Sequence, residues 1–392
     1  MTKLVSMRLY MALASAGALA LMGCPSEDVV VVDQHNEVQV TSVTEDTLSL
    51  NVDGGNPFEV GDILVGSDQG GYLRRVVTVS NSGGNVVAGT EPVSLSEAVE
   101  LGTLQGEVQW TTRDYQRAGA RLVNKGGTAI DFSGTEIFHE NGLRVSITRG
   151  TIDFAPKMRL EAGWKDHRLQ NFLSCTGGEM IVDLDIKVET TGPVWLEEEW
   201  ILWEISQPFS FAVGPIPVVG TARLAFPLGV RANVNGESYV ETGFDSYQNV
   251  VFGASYEHGK GWTDLTNVGA PVFTGHPPVW EINAGLGVEL YLKVEGGLNL
   301  YQVSDLTAAA IPYLAADAWL VPAPQTLVLS AGLDGEIGYQ LGIFDINLVD
   351  QNWYFDGPRW VLYQGSWNNP ASTPIPTLPP LEATPIQEVS VR

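Results

Sequence analysis

The sequence predicts a mostly β protein, with a small N-terminal β module followed by a larger antiparallel β-sandwich. The predicted sandwich is long enough to be elongated. Three observations predict this class. Apolar and polar residues alternate with period two in many short runs, for example at 38–43 and 288–295. The 43 glycines and 22 prolines punctuate these runs as turns. The chain also contains 11 Trp, 12 Tyr and 13 Phe, residue types that are enriched in strands.

The first 23 residues have the composition of a secretory signal peptide. Lys3 and Arg8 accompany no acidic residue, and an almost wholly apolar run extends from residue 9 to residue 21. That run is shorter than the ~20 apolar residues that a membrane-spanning helix needs. We therefore expect residues 1–23 to be removed before Cys24, and residues 24–36 to form a flexible tether.

The segment Leu21-Met22-Gly23-Cys24 resembles the bacterial lipobox. The resemblance implies that the thiol of Cys24 receives diacylglycerol and that Cys24 becomes the mature N-terminus. Two or three acyl chains anchor a protein stably in a membrane. In lipoproteins of enteric bacteria, an Asp directly after the lipidated Cys signals retention in the inner membrane. This chain has Pro25 at that position, and the absence of Asp favours the outer membrane. The resemblance covers only the first 24 residues and implies a lipid-anchored location in the cell envelope or at the cell surface, not an activity.

Charge and cysteine content exclude several classes of protein. The chain has 21 Lys and Arg against 46 Asp and Glu, a net charge of −25, which argues against binding to nucleic acid or to anionic lipid headgroups. Its two cysteines are Cys24 and Cys175. Once Cys24 is lipidated, neither an intrachain disulfide nor a cysteine zinc site can form. Cys175 is predicted to be a small buried apolar residue.

We expect residues 37–103 to form the small β module. Ser94 and Glu97 have the spacing of a capping box and predict a short helix near its end. Three segments resemble a small β module that recurs in large bacterial cell-surface and lipoprotein sequences, namely 60–65, 71–76 and 90–98. This resemblance again implies a location rather than a chemistry.

Residues 104–126 are predicted to be a polar connector and residues 127–367 to be the β-sandwich. Within the sandwich, Asn235-Gly236 predicts a type I′ hairpin turn. The segment 214–219, in which two prolines exclude a central strand, loosely resembles a domain of secreted bacterial and fungal β proteins and transfers no catalytic residue. The proline-rich residues 368–392 are predicted to be a disordered tail.

Tryptophans of the sandwich are the best candidates for ligand binding, because exposed rings can stack on the faces of sugars. Sandwich cores also bury tryptophan, so most of them are expected to be packing residues. Trp262 lies in a loop-like stretch, 258–264, and is the first candidate. Trp195 and Trp203 are the other two predicted ligand-binding residues.

Carboxylates offer a metal site or a catalytic pair. Asp183 and Asp185 are two apart on a predicted strand and share one face, so they are predicted to bind Ca²⁺, the one cofactor that the sequence suggests. With Glu197 and Glu199 they also form the pool of acids for a glycosidase-type mechanism. The five histidines have no metal-ligand spacing, and no Gly-x-Ser-x-Gly motif occurs.

The sequence therefore favours a lipid-anchored envelope or surface protein with a non-enzymatic binding or structural role. Its expected partners are the membrane, through the lipid on Cys24, and a glycan or another envelope protein. Two alternatives remain open: a secreted polymer hydrolase that uses carboxylates, and a membrane β-barrel with strands such as 280–301. Carboxylates that converge in a tryptophan-lined cleft would favour the hydrolase.

The substitution Cys24→Ser is expected to abolish labelling by a fatty-acid analogue and to move the protein out of the membrane fraction, because no other thiol precedes residue 175. Labelling is measured in cells that express the full chain, with Cys175→Ser as the matched control that keeps its label. Retention of Cys24→Ser in the membrane fraction, together with an unlabelled wild type, would contradict the lipoprotein assignment.

Overall fold

The computed structural model describes a set of ranges that together contain most of the chain: 24–25, 28–124, 127–265, 267–268, 272–282, 285–301, 304–319, 325–340, 351–357, 359–367, 381–382 and 384–386. The predicted signal peptide and most of the predicted tail lie outside them. Within these ranges no helix combines the length and the apolar character needed to cross a membrane.

Strands dominate the described residues, as the alternating pattern predicted. In chain order they are β1 (Cys24–Pro25), β2 (Val29–Val31), β3 (Val38–Val43), β4 (Thr47–Val52), β5 (Ile63–Gly66), β6 (Tyr72–Ser82), β7 (Asn85–Pro92), β8 (Val99–Gln109), β9 (Ile130–Asp131), β10 (Thr135–Glu140), β11 (Leu143–Phe154), β12 (Lys157–Lys165), β13 (Arg168–Val213), β14 (Ile216–Glu257), β15 (Gly261–Asp264), β16 (Asn267–Val268), β17 (Val272–Ile282), β18 (Leu286–Leu292), β19 (Val294–Leu300), β20 (Ser304–Trp319), β21 (Gln325–Gln340), β22 (Gln351–Phe355), β23 (Arg359–Trp367), β24 (Leu381–Glu382) and β25 (Thr384–Ile386). The helices are α1 (Leu95–Ala98) and α2 (Thr112–Arg117), with 3₁₀ turns at Val32–Gln34 and Asp68–Gly70.

The small N-terminal sheet contains six strands in the order β2-β5-β6-β7-β4-β3, and only the β2–β5 pair is parallel. Its own core includes Leu48, Leu50 and Leu64. Side chains from its other face, among them Ile63 and Val65, join the core of the large sheet, so the module packs directly on the rest of the protein. The capping box predicted at the start of α1 is present, since the hydroxyl of Ser94 accepts the N–H of Glu97.

Structural boundaries differ from the expected divisions at two places. In the segment expected to be a tether, β2 pairs with β5, and Val31 and Val32 are buried. In the segment expected to be a connector, the second half of β8 pairs with β12 in the large sheet, and α2 follows it. The first segment contains the apolar run Val29–Val32, and the second contains alternating Leu104 and Val108, so a neighbouring strand can cover each of them.

A very long hairpin formed by β13 and β14 organises the large sheet. Its register is antiparallel from Asn171 opposite Glu257 to Val213 opposite Ile216, with one irregularity after Ile201. The turn contains Gly214, whose φ of +58° favours glycine. The strands β17, β18 and β19 pair with successive parts of β14, β20 pairs with β18 and β19, and β21 pairs with β20 and β23.

The sheet folds over itself into two packed layers. Val240 and Val288 line the same small internal cavity, so they lie close together. In the sheet, however, Val288 pairs with Ala232, which precedes Val240 by eight residues. Eight residues of straight strand would separate Ala232 from Val240 by about 26 Å, so β14 must bend between them. The predicted hairpin at Asn235-Gly236 is therefore wrong: this dipeptide continues the ladder opposite Gly192 and Pro193, and it lies at the bend.

Phe226→Ala is expected to lower the free energy of unfolding by about 3–5 kcal/mol, because the ring is fully buried and its removal leaves a cavity. The matched control is Trp195→Ala, since the Trp195 side chain is 79% exposed and should change stability by no more than about 0.5 kcal/mol. Urea unfolding followed by circular dichroism measures both. Equal losses in the two variants would contradict the assignment of inward and outward faces.

Candidate functional site

Two adjoining hollows on the outward face of the large sheet form the candidate site, called the groove below. The first has a volume of about 360 Å³ and the second of about 210 Å³, and Arg231 and Glu289 line both. The other polar or aromatic side chains of the first hollow are Trp195, Glu197, Asn233, Asp317 and Arg359. Those of the second hollow are Glu199, Tyr291, Lys293, Tyr313, Asp334, Glu336, Tyr354 and Asp356.

A third hollow, of about 500 Å³, lies between α2 and residues 204–208. Its polar lining includes Asp114, Arg117 and Glu204, but it contains no aromatic ring. Ligand sites are lined by hydrophobic and aromatic side chains with a few polar groups. Aromatic rings line the groove and not the third hollow, so the groove is the candidate site.

The register of four neighbouring strands places the groove residues side by side. Glu197 on β13 lies opposite Arg231 on β14, which lies opposite Glu289 on β18, which in turn lies opposite Ala315 on β20. Directly opposite side chains on one face of a sheet are about 4.5–5.5 Å apart, so such rows bring distant parts of the chain into contact.

Arg231 lies at the centre of the groove and joins its two hollows. Its Nε lies 3.0 Å from Glu197 Oε1 and its Nη1 lies 2.5 Å from Glu289 Oε1. The guanidinium also lies 5.0 Å from the centre of the Tyr291 ring, within the range of a cation–π contact. One cation therefore holds two carboxylates and one ring in place.

Tyrosine rings line the second hollow and lie over glycines of neighbouring strands. A Cβ on Gly229 would overlap the ring of Tyr291, and a Cβ on Gly332 would overlap the ring of Tyr313. These glycines leave room for a flat ring against the sheet. Tyr354 is 60% exposed at the border of the hollow. The second hollow thus has aromatic surfaces at its wall and rim.

The cations of the groove are outnumbered by its acids. Lys293 Nζ lies 2.8 Å from Glu336 Oε2 and 3.6 Å from Glu295 Oε2. Burial alone would lower the pKa of Lys293, but the hydrogen bond and charge of Glu336 outweigh it, and the pKa is raised. Lys293 is therefore a fixed positive charge in the second hollow.

Asp334 and Asp317 are groove acids whose pKa values are raised. Burial, followed by the negative charges of Asp356 and Glu289, raises the pKa of Asp334, although its carboxylate accepts the backbone N–H of Gly357 at 3.0 Å. Burial also raises the pKa of Asp317, whose Oδ2 is 3.9 Å from the nearest Arg359 nitrogen. Both carboxyls retain a proton to higher pH than a free aspartate does.

Of the residues predicted from sequence, the structure brings Trp195, Glu197 and Glu199 together in the groove. The two predicted ligand-binding tryptophans outside the groove have packing contacts. Trp203 stacks between Tyr115 and Phe226, and its indole N–H donates to the carbonyl of Ala118. Trp262 packs in edge contact with Phe172 and beside Tyr256, because β15 lies against β14 rather than in an open loop.

Asp183 and Asp185 lie on the outward face of another part of the sheet. As predicted they share one face of a strand, and the register adds two residues that the sequence analysis did not connect with them. Asp245 on β14 lies opposite Asp183, and His276 on β17 contacts Asp185. Nε of Arg149 lies 2.9 Å from Asp185 Oδ2 and 3.3 Å from Asp183 Oδ1.

Cys175 is not an activated nucleophile. Cys175 is half-buried on β13, and burial raises the pKa of its thiol, which keeps it protonated. The structure describes the backbone of Cys24, which pairs in β1 with Leu101 of β8.

Three of the groove residues that the sequence analysis did not identify have a signal in the sequence. Glu289, Tyr291 and Lys293 occupy alternate positions in 288–295, a run that was recognised as a strand with one polar face. Their meeting with Tyr313 and Asp334 depends on pairing across β20 and β21, which a single sequence does not show.

Comparisons with known proteins found no match: no protein-family model, no curated protein and no solved structure is similar to this chain.

Asp334→Asn is expected to raise the free energy of unfolding at pH 7. A carboxyl whose pKa is raised on folding favours the folded state below its unfolded pKa of about 3.8 and loses that contribution as pH rises through its folded pKa. The gain should therefore vanish when unfolding is measured near pH 3. Asp53→Asn, on an exposed turn of the small sheet, is the control. A pH-independent effect of Asp334→Asn would contradict the burial of this charge.

Proposed function

We propose that this chain is a lipid-anchored protein of the bacterial cell envelope or surface whose large sheet binds an extended glycan along the groove. The observation that carries the proposal is the continuity of two ring-lined, highly polar hollows through Arg231 and Glu289. The first hollow alone, at about 360 Å³, lies within the range of about 300–1,000 Å³ for small-molecule sites.

Aromatic rings at both ends of the groove support a sugar ligand. Trp195 is 79% exposed in the first hollow, and Tyr354 is 60% exposed in the second, with Tyr291 and Tyr313 between them. A flat apolar ring with a polar edge matches the alternating apolar and hydroxyl-bearing surfaces of a sugar. Rings at separate positions fit successive units of a polymer.

The polar groups of the groove are suited to hydroxyl groups. Carboxylates accept hydrogen bonds, and the guanidinium of Arg231 donates them in fixed directions because its two ion pairs orient it. Glu197 and Glu289 each have a second oxygen available for a ligand. Side chains that are already held in position lose little conformational entropy when a ligand binds.

The arrangement of charges favours binding over catalysis. A glycosidase needs one carboxylic acid that is protonated near neutral pH and a second carboxylate across the scissile bond. Glu197 and Glu289 both form ion pairs with Arg231. A carboxylate held by a guanidinium is not arranged as a proton donor.

One observation favours a polymer hydrolase as the second candidate function. Asp334 lines the second hollow with a raised pKa, and Asp356 lines the same hollow. An acid with a raised pKa and a second carboxyl group in the same hollow are the two groups that such catalysis requires. This candidate and the binding function would use the same groove and the same class of polymer.

The proposed anchor agrees with the composition of the exported part. The lipobox-like segment that ends at Cys24 supports attachment, and the net charge of −25 supports a role that avoids direct contact with anionic headgroups. With the acyl chains in the membrane, the groove on the large sheet would be presented to polymers of the envelope or the surroundings.

Trp195→Ala is expected to weaken glycan binding by about 1–3 kcal/mol, the usual cost of one lost anchor ring. The full mature chain carrying Cys24→Ser is screened on arrays of neutral, amino and acidic glycans, and titration calorimetry measures the affinity for each hit. Trp319→Ala is the matched control, since Trp319 is 52% exposed and does not line the groove.

The same polymers are incubated with the protein and assayed for new reducing ends. Binding without turnover that weakens in Trp195→Ala and not in Trp319→Ala supports the proposal. Turnover that disappears in Asp334→Asn would reverse the assignment in favour of the hydrolase. A chain that binds no array member, or whose hits are insensitive to Trp195→Ala, would overturn the glycan-binding groove.

A further inference from the structure

A second cluster of side chains, distinct from the groove, contains groups that bind metal ions. Asp183, Asp245 and His276 each offer one ligand atom, and these atoms all lie within 4.8 Å of one another. The residues come from β13, β14 and β17, three adjacent strands of the large sheet, so hydrogen-bonded backbone holds their relative positions. The groove and this cluster have no lining residue in common.

The imidazole of His276 is oriented as in many metal-binding proteins. Its Nδ1 lies 2.5 Å from Asp185 Oδ1, and its Nε2 lies 3.2 Å from Asp245 Oδ2. A carboxylate that accepts Nδ1–H fixes the tautomer and leaves Nε2 as a ligand atom. Asp185 therefore orients the ring, and Nε2 faces the carboxylate of Asp245.

A buried acceptor atom provides independent support for a ligand at this place. Asp183 Oδ1 is inaccessible to solvent and accepts no hydrogen bond, although it is 3.3 Å from Arg149 Nε. Arg149 provides a compensating charge at this distance but donates no hydrogen bond, so a metal ion that displaced Arg149 would give this oxygen a direct bond in its place.

Distances in the cluster fit a small divalent ion. Two ligands of a tetrahedral zinc ion with bonds of about 2.0 Å lie about 3.3 Å apart. The 3.2 Å between His276 Nε2 and Asp245 Oδ2 already has that value. Rotation of the Asp183 side chain would bring its oxygen to the same separation, since all three atoms are within 4.8 Å.

We propose that His276, Asp245 and Asp183 form a site for a divalent transition-metal ion such as Zn²⁺, with Asp185 as the positioning residue for His276. The sequence analysis predicted calcium from Asp183 and Asp185 alone. The additional imidazole ligand favours a transition-metal ion instead. Calcium prefers six to eight oxygen ligands, whereas imidazole nitrogen favours zinc and its neighbours. Three protein ligands leave a fourth position for water or for a group of a partner.

Arg149 competes with the metal ion for these groups. Its Nε contacts Asp183 and Asp185, and its Nη2 lies 3.2 and 3.3 Å from the two ring nitrogens of His276. The guanidinium is half-exposed and lies on β11, so it can turn into solvent when an ion enters. Removal of this competing charge should raise the affinity for the metal.

Titration calorimetry of the metal-free full mature chain with ZnCl₂, and separately with CaCl₂, tests the proposal. We expect one Zn²⁺ per chain and no comparable binding of Ca²⁺. His276→Gln and Asp245→Asn should each lose binding at least about tenfold, and Asp185→Asn about 10- to 100-fold through loss of the positioning contact. Arg149→Gln should bind Zn²⁺ more tightly than the wild type.

His139→Gln is the matched control. His139 Nδ1 also pairs with a carboxylate, 3.6 Å from Glu136, and it belongs to no cluster of three ligand atoms among the described residues. Its Zn²⁺ affinity should equal that of the wild type. Circular dichroism verifies the fold of each variant, and Asp245→Asn, which alters a largely exposed side chain, substitutes for His276→Gln if the latter does not fold.

Absence of Zn²⁺ binding by the wild type would overturn the proposal, as would binding that is unchanged in Asp245→Asn. An affinity in Arg149→Gln no higher than that of the wild type would also overturn it, because the cluster would then be a structural salt-bridge network. None of these outcomes depends on a glycan bound in the groove, so the metal site and the groove are tested separately.

Discussion

The antiparallel ladder between β13 and β14 is the constraint on which the rest of the large sheet depends. It pairs residues from Asn171 with Glu257 to Val213 with Ile216. Because side chains alternate across a strand, this register sends one set of β14 residues into the core and the other outward. A slip of one residue would exchange the two sets, bringing Arg231 inward in place of Val230. The cost of burying unpaired charge makes such a slip strongly unfavourable.

Both candidate sites follow from this register. Arg231 contacts Glu197, 34 residues before it, and Glu289, 58 residues after it. His276 contacts Asp185 across 91 residues. In each case the ladder determines the distance, and the local sequence supplies only the residue type. The groove and the cluster of Asp183, Asp245 and His276 are therefore properties of strand pairing rather than of loops.

Tryptophan shows how one residue type divides between packing and binding. Trp195 and Trp203 are eight residues apart on the same strand, with the ladder irregularity after Ile201 between them. Trp195 is exposed, whereas Trp203 stacks between Tyr115 and Phe226. In a regular strand, residues an even number of positions apart share a face, so Trp195 and Trp203 would face the same way. The irregularity shifts this alternation along β13, and sequence spacing alone therefore does not distinguish an exposed ring from a packed ring.

The sequence by itself determined the fold class. Alternation with period two depends only on neighbouring residues, and it predicted strands such as 38–43 and the polar face of 288–295. The capping box at Ser94 was predictable for the same reason, since it joins residues three apart. The shared face of Asp183 and Asp185 also followed from the geometry of a single strand.

The tertiary structure decided what those residues contact. Asn235-Gly236 has the chemistry of a hairpin turn, yet β13 runs beside it and the ladder continues, so the dipeptide bends the strand instead. Asp183 acquires Asp245 and His276 only when β14 and β17 pair, and Arg231 acquires its two glutamates in the same way. Strand pairing over tens of residues is a long-range choice among registers, and local sequence pattern restricts that choice without selecting the partner.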